Sequence, residues 1–243
     1  DLDGNTVTDA ARAAGVDTSG LTVSAETPTA GYHATLDEAG GLIIGIADMK
    51  ICDEMAPATL GPAAGASGER DFWIVDANLP VATLAFLVEE ASASRRDIAA
   101  LTVSPAKAVK LVPMLDRLSY LVTNRREAAA LLGRDPNDPS ATVARLATEL
   151  AARRGGHVVV TNGAEPLSAA ASTGEVRSYA PLKVAVAGVN GAGDSFAAGV
   201  VNGLWHNIGF NVAIRGGLAD AALTLESGSV LQARFSEGAI AER

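Results

Sequence analysis

Between residues 72 and 187, short apolar runs alternate with stretches whose apolar positions recur every three to four residues. Phe72-Trp73-Ile74-Val75, Ile98–Val103, Tyr120–Thr123 and His157–Thr161 have the length and β-branched or aromatic content of buried strands. Between them lie helical patterns. Pro80 opens one through about Ser92, and Ser104-Pro105 start another to about Leu115. Asn124 caps a third through Leu132, which Gly133 ends, and residues 140–154 are rich in Ala, Leu and Arg at helical spacing. Ser168–Ala171 and Glu175–Tyr179 read as a hairpin around Gly174, Val184–Ala187 leads into a glycine-rich segment, and helices at about 192–206 and 211–226 close the core. Alternation of this kind predicts a layered α/β domain with a mostly parallel sheet.

The first part of the chain follows a different rhythm. Tyr32, Ala34 and Leu36 alternate with His33, Thr35 and Asp37, and Gly40-Gly41 mark a turn before Leu42–Ala47. Residues 22–47 therefore read as a β-hairpin, either separate from the main sheet or at its edge. A helical stretch at Thr6–Ala14 precedes it and runs into Gly15-Val16-Asp17. No internal repeat or composition shift marks a second unit, so residues 1–243 read as one domain.

Composition narrows the class. Of 243 residues, 48% are hydrophobic and 19% charged, as in a globular chain with a core. No run of about 18 apolar residues predicts a membrane span. A net charge of −9 argues against a nucleic-acid binder, which carries a basic surface, and leaves room for an anionic substrate bridged by Mg²⁺. Cys52 is the single cysteine, and His33, His157 and His206 lack metal-ligand spacing. A reducing, cytoplasmic setting fits this cysteine usage.

The chemistry is concentrated in Val189-Asn190-Gly191-Ala192-Gly193-Asp194-Ser195-Phe196 and the small-residue helix after it. Glycines let backbone N–H groups close on an anion, and the helix start adds its positive dipole end. Asp194 stands in the first turn, where a carboxylate can take a proton from an attacking hydroxyl. Gly188 to Ser195 has the spacing of a phosphate-binding Walker loop but carries Asp194 where the Lys belongs. The dinucleotide fingerprint fails too, because Phe196 occupies its third glycine. On these residues alone, a plain glycine turn with a favourable first-turn acid remains open. Asn124-Arg125-Arg126-Glu127 follows a strand and has the form of a capping box, and the same pair can organise a cation. Thr161-Asn162-Gly163 also follows a strand and is by itself a common turn.

Taken in order, these motifs resemble the ribokinase-like carbohydrate and nucleoside kinases, the PfkB family. The resemblance implies a three-layer α/β/α sandwich with a mostly parallel central sheet and a small β-lid at residues 22–47. It implies Gly191, Ala192 and Gly193 as an anion hole for the γ-phosphate and Asp194 as catalytic base. It places Thr161, Gly163 and Asn190 at the nucleotide, Asn124 and Glu127 at Mg²⁺, and ATP as phosphoryl donor. The family's upstream Asp, a carboxylate that helps build a monovalent-cation site in many members, falls on Gly188 here, which leaves a monovalent-cation site open. Pro166 stands where relatives often have Gly. Asp76-Ala77-Asn78-Leu79-Pro80, Ser104-Pro105-Ala106-Lys107-Ala108 and Asp48-Met49 are similar to the pseudouridine-kinase branch, which puts Asn78 and Lys107 near the substrate or its incoming phosphate. The expected partners are a nucleoside or sugar and a second copy of the chain through the lid. The alternatives are another sugar kinase of the same fold and a catalytically impaired nucleotide-binding paralogue. The family's first strands, its Gly-Gly motif and an early substrate-binding Asp would stand before Asp1. A form without them is expected to phosphorylate poorly.

Overall fold

The computed structural model describes residues 1–36, 42–60, 72–154 and 156–227. Its elements run α1 (Leu2–Ala13), β1 (Gly31–Leu36), β2 (Leu42–Asp48), β3 (Trp73–Asp76), α2 (Val81–Ala93), β4 (Ile98–Leu101), α3 (Pro105–Ala108), β5 (Tyr120–Asn124), α4 (Arg125–Leu131), α5 (Val143–Arg154), β6 (His157–Asn162), β7 (Glu165–Ala170), β8 (Val176–Tyr179), α6 (Ala192–Trp205) and α7 (Phe210–Ser227).

β3 to β8 form one sheet in sequence order. β3, β4, β5 and β6 are mutually parallel, and the β6–β7 and β7–β8 pairs are antiparallel. The register aligns Asp76, Leu101, Val122 and Val159 across the four parallel strands. β5 then continues to Asn124, which pairs with Thr161 of β6. In β4, β5 and β6 the continuous apolar runs follow from burial on both faces, whereas Ile74 of the edge strand β3 stays exposed. Leu121, Val158 and Val160 join a core with Leu84 and Val88 of α2, Ala128 and Leu131 of α4, and Leu146 and Leu150 of α5. Val122 and Val159, one residue out of phase, face Phe196, Ala197 and Val200 of α6 and Ile214 of α7. The strand period of two thus sorts adjacent residues into two cores and gives the three-layer α/β/α arrangement.

Two expectations change in detail. The predicted helix over 105–115 is four residues of α-helix followed by a 3₁₀ segment, Val109–Arg117. Pro113 sits inside it and has no N–H for an α-helical bond. The hairpin is shorter than residues 22–47. Its strands are Gly31–Leu36 and Leu42–Asp48, and they form a separate two-stranded sheet, which excludes an edge hairpin of the main sheet. The expected Gly40-Gly41 turn lies outside the described residues. Val184–Ala187 forms no strand. It crosses as a loop held by the Ala187 and Gly188 N–H groups donating to Leu225 O, at 2.8 and 3.3 Å.

α6 and α7 pack on each other through small residues. A Cβ on Gly217 would meet Phe196 O at 2.6 Å and Val200 Cγ2 at 2.7 Å, and one on Gly199 would meet Asp220 Oδ2 at 2.3 Å. Asp220 is buried in this contact, and among the described residues its Oδ1 has no hydrogen-bond partner. Burial pushes its carboxyl up from 3.8 to about 6. Below pH 3.8 the group is neutral in both folded and unfolded chains. Between pH 3.8 and about 6 the unfolded chain has released the proton that the folded chain keeps, so stability falls across that window and levels off above it. Asp220→Asn is therefore expected to stabilise the protein at pH 8 by on the order of 2–3 kcal/mol and to change little near pH 4. Urea denaturation at the two pH values checks this, and equal shifts at both would contradict it.

Candidate active site

The parallel strands end on polar residues. Asp76 closes β3, Thr102 follows β4, Asn124 closes β5, and Thr161 and Asn162 close β6. In open α/β sheets this carboxyl-end edge is where ligands bind. Three groups form along it.

The first is at β5–α4. Asn124 caps α4 by accepting from Glu127 N at 3.0 Å, and Glu127 Oε2 accepts from Asn124 N at 3.1 Å. The capping box is thus present in full. Glu127 is nonetheless buried, at 6% exposure, and the same Oε2 also accepts from the Thr102 hydroxyl. A surface cap needs neither the burial nor the second partner. Thr102 Oγ1 lies 3.0 Å from Thr123 Oγ1, and the Thr161 hydroxyl donates to Thr123 O at 3.3 Å. A polar row therefore runs from Glu127 to the end of β6. Among the described residues no cluster of three or more His, Cys, Asp or Glu could hold a metal. One carboxylate suits Mg²⁺, which keeps several waters and takes its other ligands from phosphates.

The second group is the glycine loop. Gly191 is the N-cap of α6 at φ +78°, a left-handed conformation that favours glycine. From there α6 opens with Ala192, Gly193 and the exposed Asp194 in its first turn. Among the described residues the N–H groups of Ala192, Gly193 and Asp194 have no acceptor, as expected of a first helical turn. Ser195 Oγ lies 2.7 Å from Thr224 Oγ1 and ties this turn to α7. A cavity of about 800 Å³ opens beside the loop. Thr161, Gly163, Ala192 and Gly193 line it together, with an apolar wall that includes Val184, Leu218 and Leu225. Asn190, Gly191 and Asp194 adjoin the lining in sequence but are not part of it. Gly163 turns the chain at φ +63°, and the irregular register between Val160 and Asn162 accommodates Pro166 opposite.

The third group gathers at the end of β3. Asp76 accepts from Asn78 N and Asn78 Nδ2, each at 2.8 Å, and Lys107 Nζ donates to Asn78 Oδ1. Ser104 caps the short helix that carries Lys107. Before it, Val103 has φ +64° and Ser104 N donates to Thr102 O at 2.7 Å, a γ-turn of the rare positive-φ kind. That turn sends Thr102 towards Glu127 and the next residues towards Asn78. Cys52 lies near this group. Burial pushes its thiol up, Asp76 adds to the effect, and Lys107 opposes it.

The structure thus brings Asn78 to Lys107, Asn124 to Glu127, and Thr161 with Gly163 to Ala192 with Gly193. Among the described residues no hydrogen bond joins Asp194 to the other two groups. The sequence reading missed Thr102 and Thr123. A polar residue at the end of each apolar run was the signal that could have found them.

The pfkB family carbohydrate kinase model matches residues 1–233. The chain is 27% identical over 208 residues to the pseudouridine kinase of Escherichia coli (strain K12), covering 82% of this chain and 63% of that protein. It therefore spans less than two thirds of the length of the curated relative it matches. A carbohydrate kinase structure from Agrobacterium tumefaciens is similar at TM-score 0.80 and 34% identity, with 100% of this chain and 76% of that one covered. A ribokinase from Cryptococcus neoformans var. grubii serotype A in complex with ADP is similar at TM-score 0.78 and 19% identity, over 99% of this chain and 79% of that one. The last likeness bears on the fold alone. Among the described residues no helix is long and apolar enough to cross a membrane.

Proposed function

The chain belongs to the pfkB family of carbohydrate kinases, and on that premise we propose that it transfers the γ-phosphoryl group of ATP to the 5′-hydroxyl of pseudouridine or a related nucleoside or sugar. The observation that carries this reading is the first turn of α6, where Ala192 and Gly193 line an 800 Å³ cavity between the left-handed Gly191 before them and Asp194 after them. Asp194 takes the proton of the attacking hydroxyl, whose oxygen bonds to the γ-phosphorus as the bond to the β–γ bridging oxygen breaks. The Ala192 and Gly193 N–H groups stabilise charge on the transferred group. Thr161, Gly163 and Asn190 hold the nucleotide, and the apolar cavity wall suits a base. Asn124 and Glu127 would hold Mg²⁺, directly or through water, and the ion when bound neutralises phosphate charge. Asn78 and Lys107 face the acceptor. The separate hairpin serves as lid and as contact with a second copy, a role supported by the exposed Tyr32, Ile44 and Ile46.

Pseudouridine as acceptor is supported by the 27% identity to an enzyme of that name. A carbohydrate acceptor is the second reading, favoured by the 34% identity to a protein named as a carbohydrate kinase. ADP release with ATP, Mg²⁺ and a panel of pseudouridine, uridine, adenosine, ribose and fructose tests both. Turnover with none of them, together with intact ADP binding, would point to an impaired paralogue instead.

Glu127→Gln keeps the shape of the cap but removes the charge. It is expected to raise the Mg²⁺ concentration for half-maximal rate by about tenfold or more, with acceptor KM near wild type. A Mg²⁺ titration that overlays wild type would leave Glu127 as a helix cap alone.

A further inference from the structure

Lys110 lies three residues beyond Lys107, in the 3₁₀ segment Val109–Arg117. Its Nζ donates to the carbonyl oxygens of Asn78 at 3.3 Å and Leu79 at 3.1 Å. The same turn is held from the other side by Asp76, so Asn78 has its N–H, its Nδ2, its Oδ1 and its carbonyl all engaged. An ammonium has three hydrogens, and Lys107 spends one on Asn78. Asn78 is therefore the post to which Lys107 is tied, and Lys110 fixes the post.

Two ammonium groups three residues apart repel each other unless each has its own acceptors. Here the acceptors are distinct: a side-chain oxygen for Lys107 and two main-chain oxygens for Lys110. The arrangement places Lys107 Nζ at one point of the sheet's carboxyl edge, while Lys110 puts two of its three hydrogens on backbone oxygens of the same turn. A lysine that only covered the helix surface would point its ammonium to water instead.

We propose that Lys110 is a positioning residue for the phosphoryl acceptor. It sets the Asn78–Leu79 turn, and through Asn78 Oδ1 the location of Lys107 Nζ, without touching substrate. The inference rests on the kinase reading above, with Lys107 on the acceptor side. Hydrogen bonds to a charged group contribute enough that losing this pair should weaken acceptor use by about tenfold.

The test compares wild type, Lys110→Met, Lys110→Gln and Lys110→Arg in steady-state kinetics with pseudouridine and with ribose, alongside calorimetric titration of Mg·ADP. Lys110→Met is expected to raise acceptor KM about tenfold, with ATP KM and Mg·ADP affinity within twofold of wild type. Lys110→Arg, whose guanidinium also spans two carbonyls, should recover most of the loss. Should the Met variant not fold, the Gln variant, which keeps an amide donor, is expected to show the same acceptor-selective rise. Unchanged acceptor KM in folded Met or Gln variants overturns the inference and leaves the kinase reading standing. So do parallel losses of acceptor and nucleotide affinity, which mean a general structural role. A wild type that binds Mg·ADP but uses neither acceptor overturns the kinase reading and this inference with it.

Discussion

Asp194→Asn is expected to lower kcat by about 10²-fold or more, because general-base catalysis contributes at least that much. The amide is nearly isosteric with the carboxylate, and Asp194 is exposed in the first turn of α6, so no core contact is lost. Mg·ADP affinity and the unfolding midpoint should stay near wild type. The change removes only the group that accepts the proton, so acceptor KM should move far less than kcat. Steady-state rates across an ATP and acceptor grid check this. Turnover within a few-fold of wild type would remove Asp194 from the role of base and return it to a first-turn acid that favours the helix dipole.

The second large effect concerns stability. Gly217→Val places a branched side chain where a single Cβ already meets Phe196 O at 2.6 Å and Val200 Cγ2 at 2.7 Å. The backbone oxygen cannot rotate aside, so α6 and α7 must separate. Overpacking of a tight contact costs about 1–3 kcal/mol, and a clash with backbone belongs at or beyond the upper end. We expect a loss of about 3 kcal/mol or more in urea denaturation, with activity falling in step because α6 carries the glycine loop. A denaturation midpoint equal to wild type would mean the two helices do not approach as closely as described. Among the described residues, a Cβ on Gly216, one residue earlier, would meet Gly199 O at 3.9 Å, an ordinary contact, so Gly216→Ala serves as the mild control.

Much of this was legible in the chain. The four apolar runs that became β3 to β6 announced themselves by length and composition: β4 to β6 are buried on both faces through their middle positions, and the edge strand β3 keeps an apolar run although Ile74 is exposed. Asn124 and Glu127 were readable as a cap because capping geometry is local. What sequence could not show is the burial of Glu127 against Thr102, which are 25 residues apart and meet only because β4 and β5 are neighbours. The 3₁₀ stretch was hidden for a different reason. Its apolar positions suit a helix well enough, and Pro113 decides the hydrogen-bond pattern without altering the spacing. Lys110 carried no signal either, since a lysine on a helical segment is ordinary until its carbonyl partners are known. The close approach at Gly199 and Gly217 was visible only as small-residue composition, whose meaning depends on which helix lies opposite.

The staggered strand ends set how the polar groups are spread along the sheet edge. β3 and β4 stop level with Val122, whereas β5 goes on for two more residues to Asn124. At about 3.3 Å per residue, this sets Asn124 roughly 7 Å further along the strand direction than Asp76. The polar groups of this edge therefore lie at two depths, and a ligand that meets both Asp76 and Asn124 has to span that offset.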